Sequence, residues 1–428
     1  MLIRTRLIEL SESIRGSYWF LPTLLACAGL ALGLLLVLVD ARLGDAWLGQ
    51  YEWFYGSRPE GARLMLSTIA GSMITVAGVV FSITLVAVTY ASGRFGPRLL
   101  GNFMRDRGNQ ASLGVFIGTY LYCLAVLRTI RSAEETSADT GGAVRDAFVP
   151  HLAMFGGLAL AITSTAVLIY FVHHVTSGIH INNVIARVGR DLIADIRQRS
   201  DEGDSEPGPG PGPGSSSASA ANVKPIIATK TGYIEAIDFD ALLKIASRHD
   251  LVLRPVRRVG DFVSEGWTML EARSAASISD RVRDECTSVV TVGRQRTAQQ
   301  DLRFGIDELV EIATLALSPG IQDPFTAIAC IDWLGAALGE MDRSPPPPTG
   351  MADEDGNVRI ILRPLDFEDY LDAAFGQLRS YVAADPNARA HALNTLTDLA
   401  THVGHPGHRT LIEAECAQLA AMKPSDDV

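Results

Sequence analysis

No phosphate-binding P-loop, dinucleotide glycine fingerprint, nucleophile elbow or His-Glu zinc pattern occurs in this 428-residue sequence. Isolated acids such as Asp301 and Asp307 do not make a catalytic pair without geometry, so no enzyme activity is expected. Cysteine is scarce, five in all. Cys27 and Cys123 fall inside apolar runs and Cys286, Cys330 and Cys416 are far apart, a distribution that excludes a disulfide framework and a zinc site. Neither a metal nor a cofactor is called for. A basic balance is missing as well: the net charge of −11 argues against a nucleic-acid partner, because neutralising phosphates needs a basic face. Nor does the N-terminus read as a cleavable leader, since the apolar run after Tyr18 is longer than a signal-peptide core and no processing site fits.

What the chain does have is apolar sequence of spanning length, at 18–39, 64–91, 113–130 and 147–172, each bounded by charges or Gly/Pro clusters. With 47% hydrophobic and 20% charged residues and a mean hydropathy of +0.18, the composition lies between a soluble domain and a polytopic transporter. The expected class is therefore an α-helical polytopic membrane domain over 1–199, with four transmembrane helices, followed by a cytosolic α+β part. Arg4, Arg6, Arg15, Arg94, Arg98, Arg105, Arg107, Arg187, Arg190, Arg197 and Arg199 flank the predicted inner ends. The outer segment between the first two runs mixes Arg42, Arg58 and Arg63 with four acids and the interfacial aromatics Trp47, Tyr51, Trp53 and Tyr55. This bias predicts both termini on the cytoplasmic side.

The second run carries the most distinctive pattern. Ser67, Gly71, Thr75, Gly78, Ser82 and Thr89 recur at helical spacing and share one face. Such a face is built to meet another helix or water, so it reads either as the lining of a pore in a homo-oligomer or as a helix-packing surface. Gly93, Gly96 and Pro97 are expected to break the helix at the inner side, and 98–105 to form an interfacial helix. After the fourth run, Ile181, Val184, Ile185, Val188, Leu192 and Ile196 form an apolar stripe opposite Arg187, Arg190 and Arg197, which continues a helix out of the membrane. A Gly/Pro/Ser spacer over 200–222 marks the domain boundary.

From Val223 the pattern changes to short β-like runs punctuated by glycine, the first part of an α+β domain over 223–342. The phrases Thr231-Gly232-Tyr233-Ile234 and Gly260-Asp261-Phe262-Val263 resemble barrel-sandwich modules related to biotinyl and lipoyl carriers, without the carrier lysine. That likeness implies a small β-barrel-like module and no carrier chemistry. Thr297 with Gln300 reads as a capping box, Leu302 to Leu317 as its helix, Ser318-Pro319-Gly320 as a stop, and Asp323-Pro324 as the cap and first turn of a second helix. The pair predicts a helical hairpin. Arg296, Asp301, Arg303, Asp307 and Asp323 are a candidate polar site for an ion or charged ligand near its turn, although caps and surface pairs account for the same charges. A Pro-rich linker over 343–357 and a mostly helical segment over 358–428 complete the chain, with a strand at Val358–Leu362 and helices near 366–383, 387–402 and 409–421. His402, His405 and His408 sit in a Gly/Pro loop with no carboxylate pattern beside them. His173, His174 and His180, just after the fourth run, read as interfacial histidines.

Taken together, Phe81-Ser82-Ile83-Thr84-Leu85-Val86-Ala87, Ala91-Ser92, Phe95 and Pro97-Arg98, then Arg296-Thr297, Asp301, Phe304-Gly305, Ala316-Leu317-Ser318-Pro319-Gly320-Ile321, Asp323-Pro324 and Thr326-Ala327, resemble a bacterial membrane-protein family known as domain of unknown function 2254. Gln322 stands where that family's pattern more often has asparagine. The resemblance implies N-terminal crossings of the bacterial inner membrane and a cytosolic C-terminal part, and it implies no activity. The residues support two roles: an oligomeric channel lined by the second crossing, or a membrane-anchored sensor or scaffold whose soluble part binds a ligand or partner. The expected partners are the bilayer and further copies of the chain, and no nucleic acid.

Overall fold

The protein, described by a computed structural model over residues 18–43, 59–95, 106–131, 148–178, 180–203, 222–274, 277–298 and 300–422, divides into two compact units, Met1–His180 and Ile181–Val428. Among the described residues the first holds four helices: α1 (Phe20–Leu43), α2 (Pro59–Phe95), α3 (Arg107–Leu127) and α4 (His151–Gly178). All four are long and apolar enough to cross a membrane. At 1.5 Å per residue, α2 reaches about 55 Å, well beyond the ~30 Å hydrocarbon core.

Helix α3 is the hub of this unit and packs against the other three. Its glycines set the distance to α1: a Cβ on Gly118 would stand 2.8 Å from the Leu25 carbonyl oxygen, and one on Gly29 would overlap the Gly118 carbonyl oxygen. Small residues let the two backbones touch, which is where packing energy between membrane helices comes from. Polar groups fix the register. The Tyr122 hydroxyl donates to the Ala153 carbonyl at 2.6 Å, and the Thr119 and Ser164 hydroxyls pair at 3.0 Å. The buried Asp40 carboxylate, near the end of α1, accepts the amides of Leu152 at 3.1 Å and Ala153 at 2.9 Å and so caps the N-terminus of α4. Asp106 caps α3 itself, accepting from the Gly108 amide, and its other oxygen pairs with His174 at 2.8 Å. That cap starts α3 ahead of the apolar run at 113–130, because its first turns carry the buried polar residues Asn109, Gln110 and Ser112.

The second unit begins with α5 (Ile181–Gly203). Although 1–199 reads as one domain in sequence, this helix packs with the C-terminal elements: Ile185, Val188, Leu192 and Ile196 are buried, and Gly189 lies under the Trp333 ring. Among the described residues eight strands come next: β1 (Asn222–Ile227), β2 (Gly232–Ile237), β3 (Val252–Pro255), β4 (Phe262–Val263), β5 (Thr268–Ser274), β6 (Val290–Gly293), β7 (Gly350–Ala352) and β8 (Val358–Ile361). They make a five-stranded sheet, β1-β5-β3-β8-β7, and a three-stranded sheet, β4-β2-β6. The expected barrel is not seen: among the described residues these are two open sheets. The cause is that β2 pairs with β4 and β6 rather than with β1, leaving Ile226, Ile234, Leu253, Met269 and Ile360 to fill a shared core. The stretch read as a linker, 343–357, contains β7, which pairs with β8, while β8 meets β3 in parallel at Leu253↔Ile360. A pairing so distant in sequence leaves no local pattern.

Helices α6 (Phe239–Arg248) and α7 (Asp280–Ser288) lie among these strands. The hairpin is α8 (Leu302–Ala316) and α9 (Pro324–Arg343). Asp323 caps α9, accepting from the Thr326 amide at 3.2 Å, with Pro324 in the first turn. The capping box expected of Thr297 and Gln300 does not form. Instead α8 starts at Leu302, Thr297 donates to the Glu235 carbonyl, and the Gln300 amide accepts from the Ile237 N–H and donates to its carbonyl, extending the edge of β2. The chain closes with α10 (Phe367–Leu371), a π-helical turn at Asp372–Gly376, α11 (Arg379–Ala384), α12 (Pro386–His402) and α13 (Pro406–Ala421).

Candidate functional site

Three places carry polar chemistry, and the first is the small-residue face of α2. Ser67, Gly71, Thr75, Gly78, Ser82 and Thr89 are all exposed or half-buried, whereas Ala62, Leu66, Ala70, Ala77, Val80 and Ala87 form the buried edge. Cβ atoms on Gly71 or Gly78 would meet no described residue within 4 Å. At these glycines the stripe packs on no other described helix of its own chain. Its hydroxyls are already satisfied along the helix: Thr75 donates to the Gly71 carbonyl, Ser82 to Gly78 and Thr89 to Leu85. Of the expected helix break, Gly93 lies inside α2, which continues to Phe95, because an isolated glycine lowers helix stability without ending a helix. Gly96, Pro97 and the interfacial stretch 98–105 lie outside the described residues.

The second place is the polar cluster before α8. Arg296 holds the Asp301 carboxylate at 2.7 and 3.1 Å and Asp307 at 2.5 Å, and Arg303 approaches Asp307 at 3.6 Å. Arg296, Asp301, Arg303 and Asp307 are thus brought together, whereas Asp323 is occupied with capping α9. Burial pushes the Asp301 carboxyl up, and Asp307 adds to this against the pull of Arg296. Gly260, at φ +91°, lets the β-module turn sit on the pair, since a Cβ there would overlap the Asp301 carboxylate. The ion pairs use up this cluster's charges, and it works as a latch between the turn and α8. Among the described residues no group of three or more His, Cys, Asp and Glu can hold a metal.

The third place is a cleft of about 1010 Å³ within the second unit, at the upper end of the range for small-molecule sites. One wall is α5, through Ile196, Arg199 and Ser200; another is the run Pro345–Pro348. Five arginines line it: Arg199, Arg254, Arg257, Arg258 and Arg363. Its three lining acids are engaged elsewhere. Asp261 accepts the Arg258 amide, Asp366 caps α10 through the Asp369 amide, and Asp342 accepts the amides of Gly404 and His405 and pairs with His408 Nδ1 at 2.7 Å. Arg254 pairs with Glu271 at 3.3 Å, and Arg258 Nε donates to the Arg363 carbonyl. Among the described residues no carboxylate lies within ion-pair distance of Arg199, Arg257, Arg258 or Arg363. Burial pushes the Tyr370 hydroxyl, on the cleft wall, up to about 12.

Sequence reading missed this cleft. Its arginines come from α5, the end of β3 and the segment after β8, and only the sheet topology brings them together. The one local signal is the pair Arg257-Arg258 just past β3. The His triplet does have a carboxylate beside it, Asp342, far back in sequence at the end of α9, and His408 stacks on Phe367 with ring centroids 4.0 Å apart. His174 is tied to Asp106, with the Tyr170 ring stacked on it at 5.2 Å.

A family described as "Predicted membrane protein (DUF2254)" matches residues 15–398. The chain is 31% identical over 410 residues to an uncharacterized protein of Mycobacterium bovis and to one of Mycobacterium tuberculosis strain H37Rv, covering 95% of this chain and 76% of each relative. The same identity and coverage hold for an uncharacterized protein of M. tuberculosis strain CDC 1551. No solved structure matches.

Proposed function

The chain belongs to this family of predicted membrane proteins, and from that premise we propose that it is a ligand-responsive protein of the bacterial inner membrane, with its C-terminal unit in the cytosol as receptor. The observation that carries the proposal is the place of α5 in the chain. Two residues separate it in sequence from the fourth apolar helix, and it also forms a wall of the cleft through Arg199 and Ser200. A ligand seated against α5 acts on the helix through which the chain enters the membrane unit, so a difference in affinity between two α5 positions becomes a signal. The arginine bias of the flanking segments supports the cytosolic side.

The test is a thermal-shift screen of the full chain in nanodiscs against nucleotides, sugar phosphates, amino acids and fatty acids. One class should raise Tm in the wild type and fail to do so in Ser200→Trp, which fills the cleft. If no class shifts Tm, the receptor role is abandoned.

A second reading, an oligomer whose α2 helices line a pore, is favoured by the open surroundings of the Ser/Thr/Gly stripe at Gly71 and Gly78. Since the surroundings of Gly78 are open, Gly78→Leu leaves the packing of the single chain intact. A liposome flux assay should show conductance in the wild type and its loss in this variant. Equal absence of flux in both removes the pore.

A further inference from the structure

Resting on the receptor reading, we propose that the cleft is a site for a nucleoside polyphosphate, a flat ring joined to several phosphate charges. The charge pattern comes first. Arg199, Arg257, Arg258 and Arg363 converge on one concave surface, and the carboxylates within it are committed to backbone amides and to His408. A cleft whose five arginines outnumber its three carboxylates, with low-dielectric walls, concentrates anions, and the guanidinium fork matches phosphate oxygens two at a time. Arg257 is the most pointed of the four: its guanidinium lies 5.4 Å over the Trp267 ring, and its buried Nε has no hydrogen-bond partner among the described residues.

The walls choose the rest of the ligand. Phe367 and His408 stack in parallel, His405 lies 4.3 Å beyond His408, and His405 is exposed at the cleft rim. Tyr370 and the proline run 345–348 add flat apolar faces. Such surfaces favour a planar base over an acyl chain. The volume of about 1010 Å³ is far larger than inorganic phosphate needs. The glycine loop of the known nucleotide folds is not required, because here side-chain guanidinium groups stand in for backbone amides as phosphate donors.

The experiment is calorimetric titration of the full chain in nanodiscs with ATP, GTP, the uncharged nucleosides, inorganic phosphate and phosphatidylglycerol vesicles. A nucleoside triphosphate is expected to bind, its nucleoside and inorganic phosphate at least ~100-fold more weakly, with affinity falling steeply as salt rises. Arg199→Glu with Arg363→Glu, neither side chain being within ion-pair distance of a carboxylate among the described residues, should weaken binding at least ~100-fold, whereas Arg187→Glu, outside the cleft, should leave it unchanged. Binding of the bare nucleosides as tightly as the triphosphates, or of vesicles alone, overturns the proposal. If a fatty acid or amino acid from the thermal screen binds the cleft and all phosphates are inert, this ligand class falls and the receptor role stands; if nothing binds, both fall.

Discussion

Gly189 of α5 lies directly under the indole of Trp333 on α9, so close that a Cβ would overlap the ring. The contact is where the helix leading out of the apolar unit docks on the helical hairpin, and only a residue without a side chain permits it. Gly189→Leu is expected to lift α5 from α9 and destabilise the second unit by about 1–3 kcal/mol, the usual range for overpacking. Thermal denaturation followed by Trp333 fluorescence measures it, and an unchanged Tm in that variant contradicts the docking.

Gln322, in the turn between α8 and α9, has φ +52°. A left-handed backbone costs an ordinary L-residue roughly 1–2 kcal/mol, less for asparagine and nothing steric for glycine. Asparagine adopts this left-handed backbone more readily than glutamine. Gln322→Asn is expected to raise stability by about 0.5 kcal/mol, and chemical denaturation of the two forms shows it.

Glu340 is clamped by Arg197 of α5 and by Arg343, and together they hold its carboxyl down at about 2. An unfolded glutamate titrates near ~4.3. The fold thus gains from the ionised carboxylate above that pH and loses the gain as pH falls through the window from ~4.3 to about 2. Between pH ~5 and about 2.5 the wild type should lose more Tm than Glu340→Gln, whose clamp carries no titrating group. Parallel curves for the two proteins exclude the clamp as a source of acid sensitivity.

Gly118 and Gly78 make a matched contrast in the membrane unit. A Cβ on the first would meet the backbone of α1, and one on the second would meet no described residue within 4 Å. Gly118→Leu is expected to cost about 3 kcal/mol or more, since the α1–α3 crossing cannot close, whereas Gly78→Leu should cost under about 0.5 kcal/mol in the single chain. Heat-induced aggregation in detergent, read for both variants, tests the pair. Equal losses mean that the α2 stripe already packs against something.

The helices of the first unit were legible because spanning a bilayer demands long apolar runs, and their ends were less so. The N-terminal turns of α3 hold Asn109 and Gln110, which a hydropathy reading rejects and a buried helix accepts once its cap, Asp106, is in place. Asp323-Pro324 was readable because cap and proline are adjacent. Thr297 and Gln300 misled because their spacing imitates a cap while their side chains serve β2 across more than sixty residues. The polar cluster around Arg296 was visible as charge, but its closure into a latch depends on Gly260 of a different element. The cleft was invisible for the same reason in stronger form: Arg199, Arg258 and Arg363 meet only because β8 joins the sheet beside β3.

Asp40 gives the assembly of the membrane unit a timetable. Its carboxylate belongs to the first of the four described apolar helices to leave the ribosome, and the two amides that satisfy it lie 112 and 113 residues later. At about 5–20 residues per second the acid waits roughly 6–22 s for its partners. Until α4 arrives, the Asp40 carboxylate has no amide of α4 to accept from, so the C-terminal end of α1 takes its final partners only when the fourth helix is made.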